Sequence, residues 1–259
     1  MKKHLRQFVQ ALRERNIQNS IVSEYRRALR EGSYDFPDSI LLPPHCGDGL
    51  PERVIELLLS RLSYQSQKAI LDVGHAYAME CHRTMISDLS KGRSITGIDI
   101  ADPAYDTAPY YIRTVKASIT NAPFQNNTFD IIWCISALEH FGMDNSGYTT
   151  DSVIDGQMAE RALREMVRVL KPEGQLLVTV PYGKFENHGW FRNFDENCLT
   201  ELLNSVRSDV LVHKRYFRHL RGSGWVIAKP EELVGVSYAE EGNSGAAALA
   251  AVLLTKNKS

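Results

Sequence analysis

The hydrophobic positions of this chain follow two different patterns. Up to about residue 65 the apolar side chains recur every three or four residues, in HLRQFVQALRERN, SIVSEYRRALREG and LPERVIELLLSRL. This spacing predicts three helices. From residue 69 on, short apolar runs alternate with helical stretches, and seven runs are predicted strands: AILDV, SITGIDI, YYIRTVKA, FDIIWCI, QLLVTV, DVLVHKRYF and ALAAVLLTK.

Strands that alternate with helices of this length indicate an α/β domain. We predict a doubly wound, mostly parallel seven-stranded sheet with helices on both faces, formed by residues 66–259. Residues 1–65 would be a helical N-terminal extension that serves as a lid or a dimer surface, so a homodimer is a candidate assembly.

Composition and charge exclude several classes of protein. The formal net charge of −1 in 259 residues provides no basic field for nucleic acid and no polybasic patch for a membrane. The most apolar stretch, GAAALAAVLL, is too short to span a bilayer, and the charged first residues do not resemble a signal peptide. Four scattered cysteines without a CxxC pair argue against a zinc site or a disulfide framework. We therefore expect a reduced, cytoplasmic protein.

Small and polar residues follow five of the predicted strands. In an open parallel sheet, ligands bind outside the carboxyl ends of the strands, where the strand order reverses. An acidic residue at the second strand end suits a grip on ribose hydroxyls, so the pattern favours an adenosine-type cofactor. The residues at these ends are Asp72 and Gly74, Asp99, Ser118 and Ile119, Cys134 and Ser136, and Tyr182.

Over about residues 67–182 the chain resembles class I S-adenosylmethionine-dependent methyltransferases of the type 11 kind. Four segments carry the resemblance: AILDVGHAYA, TGIDIAD, KASITNAPFQNNTFDIIWCISALEHFG and ALREMVRVLKPEGQLLVTVP. It implies a Rossmann-like fold and S-adenosylmethionine as cofactor. A further likeness of HGWFRNFD to enzymes of sugar and surface-polysaccharide biosynthesis points to a carbohydrate acceptor.

The resemblance also implies roles for single residues. Asp72 and Gly74 would hold the methionine end, with His75 and Ala76 in the same loop. Asp99, followed by Ile100, would bind both ribose hydroxyls. Ser118 and Ile119 would flank adenine, and Cys134 and Ser136 would line the methionine side.

The sequence departs from the family pattern at two places. Ala76 and Ala78 stand where glycines are usual, and Ser118 replaces an aspartate. An alanine strains such a loop only where φ is positive, and a serine can still accept a hydrogen bond from an adenine amino group. A sulfonium cofactor has no pyrophosphate, so the missing glycines argue more strongly against a nicotinamide cofactor.

Methyl transfer to a hydroxyl needs a base beside the acceptor. His140 follows the fourth strand and is the first candidate, although LEH could equally well pack and cap a turn. Tyr182 and His188 follow the fifth strand, and His188 is more typical of a surface residue. For Asp144, Asp151 and Asp155 a solvated loop is a better interpretation than a divalent-ion site, so we predict no metal.

The favoured function is methylation of a small-molecule hydroxyl group, on a sugar, a nucleotide sugar or a related metabolite. A rival is a catalytically silent subunit that keeps the fold for binding or assembly, which the altered loop and Ser118 favour. A second rival is an oxidoreductase with a nicotinamide cofactor.

Overall fold

The computed structural model describes residues 2–64, 69–90, 95–240 and 245–258. Within these ranges no helix has both the length and the apolar character that crossing a bilayer requires. The helices are α1 (Lys2–Glu31), α2 (Arg53–Ser63), α3 (Glu80–Ser90), α4 (Met158–Val169) and α5 (Glu196–Asn204). The strands are β1 (Ser33–Asp35), β2 (Ser39–Leu41), β3 (Ile70–Val73), β4 (Ile95–Asp99), β5 (Arg113–Lys116), β6 (Phe129–Ile135), β7 (Leu170–Pro181), β8 (Glu186–Asn187), β9 (Arg192–Asn193), β10 (Val210–Leu220), β11 (Gly224–Ala228) and β12 (Ala248–Lys256).

The central sheet has the order β11-β10-β12-β7-β6-β3-β4-β5. β3 pairs in parallel with both β4 and β6, while β12 runs antiparallel between β7 and β10. The strand order reverses beside β3, which places the carboxyl ends of β3, β4 and β6 around one crevice. The predicted doubly wound, mostly parallel α/β fold is confirmed.

The sheet contains eight strands, one more than predicted. The additional strand is β11, which pairs antiparallel with β10 after a tight turn. Gly222 in that turn has φ +79°, a left-handed conformation that glycine adopts without strain. The turn therefore joins β10 and β11 in a hairpin.

Hydrophobic clusters cover both faces of the sheet. On one face, residues of α1, α2 and α3 pack with β3, β6 and β7, for example Tyr25, Leu57, Met85 and Trp133. On the other face, residues of α4 and α5 pack against the sheet, for example Met166.

The N-terminal region differs from prediction in one respect. The segments predicted as two helices form the single helix α1, because NIQNS at residues 16–20 contains neither proline nor glycine to end it. Residues 33–49, between α1 and α2, include the β1–β2 hairpin. The predicted domain boundary at residue 65 lies outside the described residues, and the lid or dimer role of residues 1–65 stays a prediction.

Candidate functional site

The loop between β3 and α3 begins with a glycine that cannot be replaced without strain. Gly74 has φ +86°, and a Cβ added there would lie 2.7 Å from the Cβ of Ala137. The Gly74 N–H donates to the carbonyl of Ile98 at 3.0 Å, which fixes the loop against β4. Neither Ala76 nor Ala78 has a positive φ, so the two alanines add no backbone strain. Helix α3 starts at Glu80.

Asp99 ends β4 and orients this loop. One carboxylate oxygen accepts the N–H of Ala76 and the other accepts the N–H of Ala101, both at 2.9 Å. A carboxylate has about four acceptor positions, so each oxygen can still accept a hydrogen bond from a ligand.

Two adjoining cavities form an elongated cleft above these strand ends. Their volumes are about 250 Å³ and about 230 Å³. Both are lined by the same central group of residues, which therefore marks the middle of the cleft: Val73, Gly74, Asp99, Ile100, His140, Phe141 and Asn145.

One end of the cleft carries opposite charges. Asp72 and Arg53 both line it. Oδ2 of Asp72 accepts hydrogen bonds from Nε2 of His82 at 2.9 Å and from the Tyr111 hydroxyl at 2.7 Å. Burial alone would raise the pKa of Asp72, but the charge and hydrogen bond of His82 and the bond from Tyr111 lower it below the ordinary value. The aspartate is therefore ionised at neutral pH.

Arg53, in the first turn of α2, brings a cation into this end. Its Nη1 lies 2.9 Å from Oε2 of Glu56, and that carboxylate opposes the effect of burial, so the pKa of Arg53 is raised. Glu56 is fully buried, and its Oε1 accepts from the hydroxyls of Ser136 at 2.5 Å and Thr179 at 2.7 Å. Ser136, at φ +43°, is thereby tied to α2.

Sequence reasoning missed both Arg53 and Glu56. The available signal was the group of charges in LPERVIELLLSRL, which opens an otherwise apolar helix. Charged residues are rarely buried unless they are paired, so a pair three residues apart in such a helix is a candidate for a buried site.

The other end of the cleft is mostly apolar, with hydroxyl groups and the carboxylate of Asp151. Ser118 and Ile119 line it, together with Thr120, Val153 and Met158. The Ser118 hydroxyl caps the turn Ile119–Asn121 by accepting the N–H of Thr120 at 3.3 Å. The Ser118 oxygen also lies 2.8 Å from the Thr120 hydroxyl oxygen. When Ser118 is the donor in that hydrogen bond, its oxygen keeps a second lone pair for a ligand.

His140 lines both halves of the cleft. Its Nδ1 lies 2.9 Å from the carbonyl oxygen of Trp190. A carbonyl can only accept, so Nδ1 carries the proton and Nε2 of the neutral ring has a free lone pair. Burial lowers the pKa of His140, which keeps the ring neutral near pH 7.

Three of the predicted cofactor residues do not line the cleft. His75 is 2% exposed and packs against Gly97 and the ring of Tyr111. Ala76 is fully buried and contributes its N–H to Asp99, while the Cys134 side chain lies in the hydrophobic core.

Two of the predicted catalytic residues are also elsewhere. The Tyr182 side chain is buried, and its hydroxyl donates to Glu196 at 2.9 Å. His188 stacks on Phe191 with ring centroids 4.3 Å apart. Neither lines the two cavities, so the structure brings His140, but not these two, to the cleft.

The comparison with known families finds a match in the central part of the chain. Residues 71–178, less than half of the chain, match the family described as "Methyltransferase domain". The central part of the chain is therefore similar to a methyltransferase domain. This segment runs from β3 into β7 and contains the ends of β3, β4, β5 and β6, which border the cleft.

The curated relatives of this chain match it over only part of their own length. An uncharacterized protein of Methanocaldococcus jannaschii is 30% identical over 146 residues, which cover 56% of this chain and 55% of that protein. A glycine/sarcosine/dimethylglycine N-methyltransferase of Actinopolyspora halophila is 25% identical over 143 residues, 50% of this chain and 21% of that protein. The chain thus spans about half of the first relative and about a fifth of the second.

Solved structures include two similar chains. A SAM-dependent methyltransferase of Methanosarcina mazei has 15% identity and a TM-score of 0.49, over 78% of this chain and 98% of its own. The N-methyltransferase NodS of Bradyrhizobium japonicum, in complex with S-adenosyl-L-homocysteine, has 15% identity and a TM-score of 0.48, over 91% of this chain and 99% of its own.

Similarity to a methyltransferase domain implies S-adenosylmethionine as cofactor, and the residues that line the cleft complement its three parts chemically. Arg53 and Asp72 carry charges opposite to those of the carboxylate and ammonium groups of its amino-acid end. Asp99, in the middle, could accept hydrogen bonds from the ribose hydroxyls, and the end with Ser118 and Ile119 could hold a flat base with an amino group.

Proposed function

We propose that this protein is an S-adenosylmethionine-dependent methyltransferase that acts on a hydroxyl group of a small molecule, a sugar or a related metabolite. One observation carries the proposal: Asp99 lies between a charged end and an apolar end of a single cleft at the point where the strand order reverses. The charged end, Asp99 and the apolar end follow one another in the same order as the amino-acid, ribose and adenine groups along the cofactor.

Each part of the cofactor would have its own residues. The carboxylate of Asp99 accepts both ribose hydroxyls, since its backbone hydrogen bonds use only one acceptor position on each oxygen. Arg53 binds the carboxylate of the amino-acid end by a charge-assisted bond, and Asp72 binds the ammonium group. Ser118 and Ile119 hold the adenine.

His140 would serve as the base. The bound cofactor supplies an electrophilic methyl group, and a hydroxyl acceptor must lose its proton to attack it. Nε2 of the neutral His140 ring can accept that proton, while the bond from Nδ1 to the Trp190 carbonyl keeps the ring oriented. Proximity and alignment contribute most of the remaining rate acceleration.

The proposal is tested by calorimetric titration with S-adenosylmethionine and S-adenosylhomocysteine. We expect micromolar binding by the wild-type protein and a loss of at least about tenfold in Asp99→Ala, equivalent to about 1.4 kcal/mol. The matched control is Asp102→Ala, since Asp102 is an exposed residue three positions on that pairs with Lys116; its affinity should stay at the wild-type value.

Two outcomes would overturn the proposal. Absence of binding to the wild-type protein would favour the silent binding or assembly subunit. Tighter binding of a nicotinamide dinucleotide than of S-adenosylhomocysteine would favour the oxidoreductase.

A further inference from the structure

Three large aromatic side chains are exposed at the mouth of the cleft. Tyr77 is 50% exposed, Tyr148 41% and Trp190 44%. They come from separate loops, which follow β3, β6 and β8. A grouping of exposed rings from distant parts of a chain is typical of a binding surface rather than of a solvated one.

These rings form one continuous row that leads to His140. The ring centroids of Tyr77 and Tyr148 are 5.2 Å apart, those of Tyr148 and Trp190 5.8 Å, and those of Trp190 and His140 5.0 Å. The Tyr77 hydroxyl donates to the carbonyl of Tyr148 at 3.1 Å, so two of the loops are tied together. Tyr77, Tyr148 and His140 also line the cleft.

We propose that Tyr77, Tyr148 and Trp190 are the acceptor platform, on which a neutral six-membered ring bearing a hydroxyl group stacks. The inference rests on the proposed function and names the acceptor class of the same site. Aromatic side chains bind ring faces through large apolar contact areas with defined geometry. A ring stacked on this row would hold its hydroxyl group beside His140, the proposed base.

Charge around the cleft argues for a neutral acceptor rather than a nucleotide sugar. Among the described residues that line its two halves, Arg53 is the only lysine or arginine, and Asp151 lines the half with Ser118. Arg53 lies at the end assigned to the cofactor carboxylate. A phosphorylated acceptor would therefore meet no cation among the described lining residues at the mouth, whereas a pyranose or a phenol needs none.

Tryptophan fluorescence can measure ligand binding to the platform. The chain has three tryptophans, and the side chains of Trp133 and Trp225 are 0% and 1% exposed. A ring that stacks on the platform should thus change the emission of Trp190 and leave the other two nearly unaffected. Trp190→Phe should remove the signal but keep an aromatic surface.

The experiment titrates the full chain with catechol and with methyl α-D-glucopyranoside, with and without saturating S-adenosylhomocysteine. Glucose 1-phosphate and benzyltrimethylammonium are the charged comparisons. We expect saturable quenching by at least one neutral probe, and an affinity about fivefold to tenfold weaker in Tyr148→Ala. Calorimetry should find the same loss in Trp190→Ala, which keeps the backbone carbonyl that orients His140.

Phe185→Ala is the matched control, because Phe185 is 45% exposed and lines neither cavity. Trp190→Phe, Trp190→Ala and Phe185→Ala should keep wild-type affinity for S-adenosylhomocysteine, because neither Trp190 nor Phe185 lines the two cavities. A wild-type protein that does not bind S-adenosylhomocysteine would count against the proposed function, not the platform. The platform is overturned if neither neutral probe binds, if a charged comparison binds more tightly, or if Phe185→Ala weakens binding as much as Tyr148→Ala. The two neutral probes distinguish a sugar from a phenol.

Discussion

At the scale of single residues, Arg53 is a cation of the cleft whose pKa depends on burial and on neighbouring carboxylates. Burial would lower its pKa, and the carboxylates of Glu56, Glu52 and Glu139 act in the opposite direction and raise it. Breaking a buried ion pair leaves an uncompensated charge, which destabilises a protein more than the pair stabilised it. The role of Arg53 must therefore be tested with a ligand comparison and not by loss of activity alone.

We predict that Arg53→Gln weakens S-adenosylhomocysteine at least about tenfold but leaves the affinity for 5′-methylthioadenosine unchanged. 5′-Methylthioadenosine lacks the amino-acid end of S-adenosylhomocysteine, so its binding does not depend on the positive charge of Arg53. Calorimetry on both ligands measures the difference, and Arg53→Lys should recover part of it. Arg61→Gln, on the same helix but outside the cleft, is the control. An equal loss for both nucleosides would mean that the fold, and not a carboxylate contact, depends on Arg53.

His140 makes a separate prediction about pH. A base must be neutral, so the rate should fall as pH falls through the His140 pKa, which burial has lowered from its ordinary value of about 6.5. His140→Gln should remove this acidic limb and lower kcat by about 10²–10⁴-fold, with cofactor affinity near wild type.

The pH profile of methyl transfer, measured together with S-adenosylhomocysteine calorimetry, checks this role. His188→Gln should behave like the wild-type protein, since His188 lines neither cavity. A limb that persists in His140→Gln would assign the titration to another group.

The predicted site residues that line the cleft include four with one shared property. Asp72, Asp99, Ser118 and Ser136 lie at or just beyond strand ends, and parallel topology alone brings such positions to one edge. Arg53 and Glu56 could not be found in this way, because their contacts depend on how α2 packs over the sheet. Glu56 and Ser136, for example, are 80 residues apart along the chain.

At the scale of elements, the β3–α3 loop explains how a glycine-poor sequence forms a cofactor loop. Only Gly74 has the left-handed backbone in this loop; Ala76 stays in ordinary φ and gives its N–H to Asp99. The sequence alone could not show that Gly74, and not position 76, needs a positive φ, since the φ angle at each position depends on the turn that the loop adopts. The sequence likewise did not show that the two amphipathic segments before residue 32 join into the single helix α1.

The loop predicts opposite outcomes for two exchanges. Gly74→Ala should lower the free energy of unfolding by at least about 1 kcal/mol and weaken cofactor binding, because its Cβ would lie 2.7 Å from that of Ala137. Ala76→Gly should bring no gain in affinity and cost about 0.4–1 kcal/mol through the greater freedom of the unfolded chain. Denaturant unfolding and calorimetry measure both. A large gain in affinity with Ala76→Gly would show that the alanine obstructs the ligand.

At the scale of the whole molecule, the two helical layers enclose carboxyl groups that the proposed chemistry does not use. Glu139 is 4% exposed, and its Oε2 has no hydrogen-bond partner among the described residues. Burial, with a smaller contribution from Glu56, raises the pKa of Glu139 to about 8. Burial and the charge of Glu56 likewise raise the pKa of Glu52 to about 7.

These groups make the stability of the fold depend on pH in a defined direction. An unfolded glutamate has a pKa of about 4.3, so between that value and about 8 the native state holds more protons than the unfolded state. The free energy of unfolding therefore falls as pH rises, by at most about 1.4 kcal/mol per pH unit for each group. His75 and His140, whose pKa values are lowered by burial, act in the opposite direction only below about 6.5. The four cysteines, whose pKa values are raised by burial, act in the same direction as the glutamates near the top of this range, because an unfolded thiol titrates at about 8.5. Within the window from about pH 6.5 to 8, the contribution of a glutamate is therefore the difference between its Gln variant and the wild-type protein.

We predict that Glu139→Gln flattens this decline, because the neutral amide has no proton to lose. Urea unfolding at several pH values within the window measures the slope, and the exposed Glu231→Gln should leave it at the wild-type value. The absolute stability of Glu139→Gln is not the test, since a buried amide brings its own unpaired groups. Only the dependence on pH reports the proton, and an unchanged slope would mean that Glu139 is already ionised in the native protein.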